Sequence, residues 1–137
     1  MENTKQIISA VLKHFPESQA IYLFGSFASN EQVGDSDLDL AVLLDHDKAK
    51  AVGSLSMSDL RFELESLLNR DVDLINLRQV STVFQKEVIM ADCRIFQSDE
   101  YSVDLFEMLS LSYYQKLNEE RKALLLEIEQ NGRILQI

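Results

Sequence analysis

The sequence predicts an α/β (α+β) domain, a small β-sheet flanked by α-helices and closed by one long C-terminal helix. Three observations carry this. Helical and strand-like hydrophobic periods follow one another along the chain, and every run that reads as a strand is short. The 137 residues suit one compact domain with a real core. Apolar residues make up 46 % and charged residues 26 %, a balance that argues against disorder.

The first helix is expected to be capped by Asn3, with Gln6 as its reciprocal partner. Ile7, Ile8, Val11, Leu12 and Phe15 form its apolar face, and Pro16 ends it, because the residue before a proline avoids the helical region. Ala20 to Phe24 reads as the first strand, broken by Gly25-Ser26. Asp37 to Leu44 reads as the second. Its period of two puts Leu38, Leu40, Val42 and Leu44 on one face and Asp37, Asp39, Ala41 and Leu43 on the other. A second helix starting near Ser56 or Ser58 turns Leu60, Leu64, Leu67 and Leu68 inward.

Val72 to Leu77 is the third strand, with Asp71 and Asp73 on either side of Val72. A helix is expected from about Ser81 to Ala91, then a short fourth strand from Arg94 to Phe96. The last helix is expected to run from Ser98 to Gly132, with Asp99 and Glu100 in its first turn. Its apolar face is Leu105, Leu109, Tyr113, Leu117, Leu124 and Ile128. Such a helix is roughly 50 Å long, so it either bends or serves a partner.

Composition excludes several classes. Lys and Arg number 13 against 23 Asp and Glu, a net charge of −10. That mean surface repels phosphate backbones, so nucleic-acid binding as the main task is disfavoured, unless metal ions bridge the charge locally. No uninterrupted apolar run is longer than Leu40 to Leu44, too short to span a bilayer. Met1 to Gln6 lacks the basic and apolar regions of a signal peptide, so a cytoplasmic location is expected. A single cysteine, Cys93, excludes an internal disulfide and multi-cysteine zinc patterns. His14 and His46 leave little room for a histidine metal site.

The informative segment is Gly25-Ser26, ten intervening residues, then Asp37-Leu38-Asp39. A strand ending in Gly-Ser, with a possible helix opening at Phe27-Ala28-Ser29, presents backbone N–H groups suited to phosphate oxygens. Asp37 and Asp39 lie two apart on a strand and so leave the same face. If the second and third strands are neighbours, Asp73 completes a carboxylate triad. Three carboxylates in one pocket repel unless a cation compensates, and Mg²⁺ suits a few carboxylates, water and substrate phosphates. Two such ions about 4 Å apart would clamp the attacking and leaving oxygens of a phosphoryl transfer.

This pattern resembles the DNA polymerase β-like nucleotidyltransferase superfamily. The run from Leu23-Phe24-Gly25-Ser26-Phe27-Ala28 into Ser36-Asp37-Leu38-Asp39-Leu40 is similar to its minimal nucleotidyltransferase (MNT) branch. Many of those proteins are antitoxins paired with a helical HEPN RNase toxin. The resemblance covers about residues 7 to 97 and implies a nucleotidyltransferase fold with a mixed, twisted sheet. Residues 1–97 would form that domain, and residues 98–137 a helical extension packing on it or on a partner.

By the same resemblance Gly25, Ser26 and Ser36 would hold the nucleotide, and Asp37 and Asp39 would ligate both Mg²⁺ ions. Asp73 would ligate the catalytic ion and accept the proton of the attacking hydroxyl. The implied reaction moves AMP from ATP to a hydroxyl, a tyrosine's, of the cognate HEPN toxin. Many relatives read Gly-Ser-x-Ala-Arg-Gly where this chain has Ala28-Ser29-Asn30, so a basic phosphate contact is missing here. Neither histidine stands in the Arg-x4–6-His spacing of the HEPN RNase motif, so the chain is not read as the toxin.

Other residues have plainer readings. Asp35 and Asp71 are expected as solvated turn residues, and Asp45, His46 and Asp47 as a charged loop. His14 is expected as a half-buried filler and Cys93 as a small core residue. Tyr113-Tyr114 and the last helix's leucines suit either core packing or a partner surface. Two rival functions remain open at this stage. One is modification of a small hydroxylated molecule such as an aminoglycoside. The other is a non-catalytic antitoxin that occludes its toxin.

Overall fold

A computed structural model describes residues 3–25 and 37–131 of the chain. Its elements run α1 (Asn3–His14), β1 (Ala20–Phe24), β2 (Leu38–Leu43), α2 (His46–Val52), α3 (Asp59–Leu68) and β3 (Val72–Asn76). A 3-10 turn (Leu77–Gln79), α4 (Thr82–Met90), β4 (Arg94–Gln97) and α5 (Glu100–Asn131) follow. Asn3, expected as a cap, is itself the first helical residue of α1. Ser58 and Ser81 cap α3 and α4, their hydroxyls accepting from the N–H groups of Arg61 and Phe84.

The four strands form one mixed sheet in the order β3-β2-β1-β4. β1 runs antiparallel to β2 and to β4, while β2 and β3 run parallel. The period-two split read for the second strand holds. Leu38, Leu40, Val42 and Leu44 enter one core with Ile7 and Val11 of α1 and Leu60 and Leu64 of α3. Ala41 and Leu43 enter the other, with Tyr22, Val88 of α4 and Val103 of α5. The sheet is therefore a middle layer with two buried faces, and Asp39 lies on the Ala41 side.

A second expectation changes. Asp45, His46 and Asp47 are not a loop: Asp45 is the N-cap of α2, its carboxylate accepting from the Lys48 N–H at 2.7 Å. Asn76 at the end of β3 closes the other end of that helix, donating Nδ2–H to the carbonyls of Ala49 (3.0 Å) and Gly53 (2.8 Å). In α5 the inward side is Val103, Phe106 and Ser110, not the leucine stripe. Leu105, Leu109, Tyr113, Leu117 and Leu124 are all exposed, Tyr113 at 64 %.

Polar anchors set that rotation. Arg94 of β4 donates through Nη1 to Asp104 (3.0 Å) and Glu107 (2.7 Å), and the buried Tyr22 hydroxyl donates to Glu107 at 2.7 Å. These bonds turn the Asp104–Glu107 side of α5 toward the sheet edge. Among the described residues, no helix is long and apolar enough to cross a membrane.

Candidate active site

The site is built where β1 ends and β2 and β3 begin. Phe24, the last residue of β1, pairs in register with Asp39 on β2, and Asp39 pairs with Asp73 on β3. Residues in register on neighbouring strands point to the same face. Asp39 and Asp73 thus stand side by side on the α4 side of the sheet. Asp37 is one residue short of β2 and exposed, so it sits at the mouth rather than on the strand.

Gly25 follows Phe24 with φ +68°, a conformation that favours glycine. A Cβ there would stand 2.1 Å from Oδ2 of Asp39. The glycine is therefore required by the carboxylate beside it. Phe24 itself is fixed from α4: its ring meets that of Phe84 edge-on, centroids 5.7 Å apart. Ser26 and Ser36, the other residues expected to hold nucleotide, lie outside the described residues.

Electrostatics mark Asp39. Burial, then the charges of Asp73 and Asp37, push its carboxyl above the usual carboxylate range. A cleft of about 410 Å³ runs beside Asp73, lined by Asp37, Asp71, Asp73, Arg61, Met57 and Leu74 among others. Arg61, the one cation among the described residues that line it, donates to the carbonyls of Ser56 and Val72 and to Glu65. Among the described residues, no three His, Cys, Asp or Glu side chains are gathered as a ready metal cage. The donor set of Asp37, Asp39 and Asp73 is nonetheless all oxygen and mutually repelling, which fits a hard divalent cation.

The other candidates take structural places. His14 is more than a filler, since its Nε2 meets Glu63 at 3.1 Å. Cys93 is half-buried against the α1 side of the core, and burial together with Asp92 pushes its thiol up. Periodicity alone missed Arg61 and Glu65, because a pair four apart on a helix looks like ordinary surface charge.

A glycine-ended strand, an antiparallel partner bearing Asp39 and a parallel third strand bearing Asp73 define a nucleotidyltransferase layout. The chain belongs to the Polymerase beta, Nucleotidyltransferase family, which it matches over residues 5–101. It is 33 % identical over 129 residues to the protein adenylyltransferase MntA of Shewanella oneidensis, covering 94 % of this chain and 89 % of that protein.

Solved structures agree. A chain of a toxin–antitoxin structure with AMP-PNP superposes with a TM-score of 0.71 at 32 % identity, covering 93 % of this chain and 98 % of that one. A second is the complex of tri-AMPylated Shewanella oneidensis HEPN toxin with MNT antitoxin. It gives a TM-score of 0.65 at 31 % identity, covering 93 % of this chain and 96 % of the other. Coverage this broad takes in most of α5.

Proposed function

We propose that this chain is an antitoxin that transfers AMP from Mg²⁺-bound ATP to a hydroxyl, a tyrosine's, of a cognate HEPN RNase toxin and so neutralises it. One observation carries the reading: Asp39 and Asp73, in register on adjacent strands, repel each other beside a glycine turn. The kinship with a protein adenylyltransferase, and with the antitoxin bound to an AMPylated toxin, supplies the substrate class.

In this reaction the acceptor oxygen attacks the α-phosphorus of ATP. The bond between that phosphorus and the bridging oxygen breaks, and pyrophosphate leaves. Asp73, which lines the cleft at the β3 edge, accepts the hydroxyl proton. Gly25, with Ser26 and Ser36, holds the triphosphate. Asp37, Asp39 and Asp73 would hold Mg²⁺, two ions, which supplies charge neutralisation for the phosphoryl transfer when bound.

Residues 1–97 do this chemistry, and residues 98–137 form an extension whose exposed leucine face meets the toxin. The chain works in the cytoplasm and needs no nucleic acid. The test is co-expression with a cognate HEPN toxin, followed by that toxin's intact mass. Whole AMP increments that need ATP and Mg²⁺ are expected. An unmodified, fully neutralised toxin would replace the enzyme with an occluder.

A further inference from the structure

Val72 opens β3, an edge strand of the sheet, and directly precedes Asp73. Edge strands present unpaired N–H and C=O groups, and strand ends fray first. Here side chains of α3 take both groups of Val72. The Arg61 Nε–H donates to the Val72 carbonyl at 3.0 Å, and the Val72 N–H donates to Oε2 of Glu65 at 3.0 Å. Arg61 and Glu65 also pair with each other, Nη2 to Oε2 at 3.3 Å.

The third arm of the guanidinium, Nη1, donates to the Ser56 carbonyl at 2.8 Å and fixes the segment before α3. From the β2 side, the Leu38 N–H donates to the Asp71 carbonyl at 2.9 Å. The peptides leading into Asp73 are thus bonded from both sides. A one-residue slip of β3 would turn Asp73 to the opposite face, away from Asp39. A planar fork serving three acceptors can do this, and an ammonium cannot copy its geometry.

We propose that Arg61 and Glu65 are positioning residues that hold the β3 edge so that the Asp73 carboxylate stays beside Asp39. The proposal rests on Asp73 being a carboxylate of the site. Neither residue touches the reacting atoms; both act through Val72.

The test uses the full chain with Arg61→Lys, Glu65→Ala and Glu65→Gln. Amide hydrogen exchange at Val72 is expected to speed up about tenfold or more in Arg61→Lys and Glu65→Ala. In those variants kcat for AMP transfer is expected to fall about tenfold or more, with KM for ATP within about threefold. Glu65→Gln keeps an acceptor oxygen for the Val72 N–H and should retain kcat within about threefold. Unchanged exchange in both damaging variants would overturn the proposal, as would faster exchange with undiminished kcat. A parent chain that transfers no AMP would fail the functional reading instead, and the exchange rates would still decide the clamp.

Discussion

Gly25 and Asp39 are locked to each other: a Cβ on Gly25 would lie 2.1 Å from the Asp39 Oδ2. The turn that ends β1 and the carboxylate on β2 form one unit. Gly25→Ala meets two costs, the left-handed backbone at φ +68° and displacement of the Asp39 carboxylate. The backbone part is about 1–2 kcal/mol. A carboxylate moved by about an ångström costs roughly a hundredfold in rate. Urea melts beside transfer assays check this, and parental transfer by a folded Gly25→Ala chain would contradict it.

Asp39→Asn should leave stability at neutral pH unchanged or raise it. The carboxyl of Asp39 is pushed up by burial and by Asp73 and Asp37, so its charged form is disfavoured in the fold. A raised carboxyl favours folding at low pH, and that contribution is lost as pH rises through its folded value. The amide escapes the loss, so the variant's advantage at neutral pH should vanish in acid. Urea midpoints across the acid range measure it. A loss at neutral pH would make Asp39 a structural hydrogen-bond hub.

Glu63 shows the opposite sign. Its carboxylate accepts from His14 Nε2 (3.1 Å) and Lys13 Nζ (3.2 Å), joining α3 to α1, and these bonds hold it below the usual carboxylate range. Its stabilising contribution is present above that range and lost as pH falls through the depressed value. Glu63→Gln should melt earlier than the parent at neutral pH, and the two should converge in acid. Parallel curves at every pH would remove the ion pairs from the account.

Tyr22→Phe removes a hydroxyl that is buried and bonded to Glu107 at 2.7 Å. Burial first, and Glu107 second, push that hydroxyl far above its usual value, so it donates at any physiological pH. Glu107 keeps Arg94 as a partner, so the expected loss is about 1–2 kcal/mol in urea melts. A neutral substitution would show that Arg94 alone seats α5.

Much of this fold is written locally. The alternation in Leu38 to Leu44 placed Asp39 on the correct face, and serines marked two helix starts, Ser81 and one of Ser56 or Ser58, of which Ser58 is the cap. What escaped is long-range. The seven residues of α2 lack a strong period, and their C-terminal carbonyls are held by Asn76. The stripe from Leu105 to Leu124 was legible as apolar, yet long-range contacts seat α5 by Val103 and Phe106: the anchors Arg94 and Tyr22, the Val88 side of the core and Arg78 over the Phe106 ring. Gly25 was legible as a turn, but the demand for it comes from Asp39, a residue fourteen positions away in sequence. Arg61 and Glu65 gain their role only because β3 is an edge strand.

Asp37→Asn with Asp39→Asn tests the central claim most directly. The double change keeps side-chain volume and removes two charges from the site, and neither residue belongs to α5. Toxin binding should stay within about tenfold, roughly 1.4 kcal/mol, because charges outside an interface core act mainly on association rates. Transfer should fall by several orders of magnitude, since electrostatic stabilisation dominates phosphoryl transfer. The measurement is the toxin's intact mass beside growth in co-expressing cells. The account predicts an unmodified toxin and arrested growth with the double variant, against an AMPylated toxin and growth with the parent. Full protection by the double variant, with the toxin mass unmodified, would contradict it.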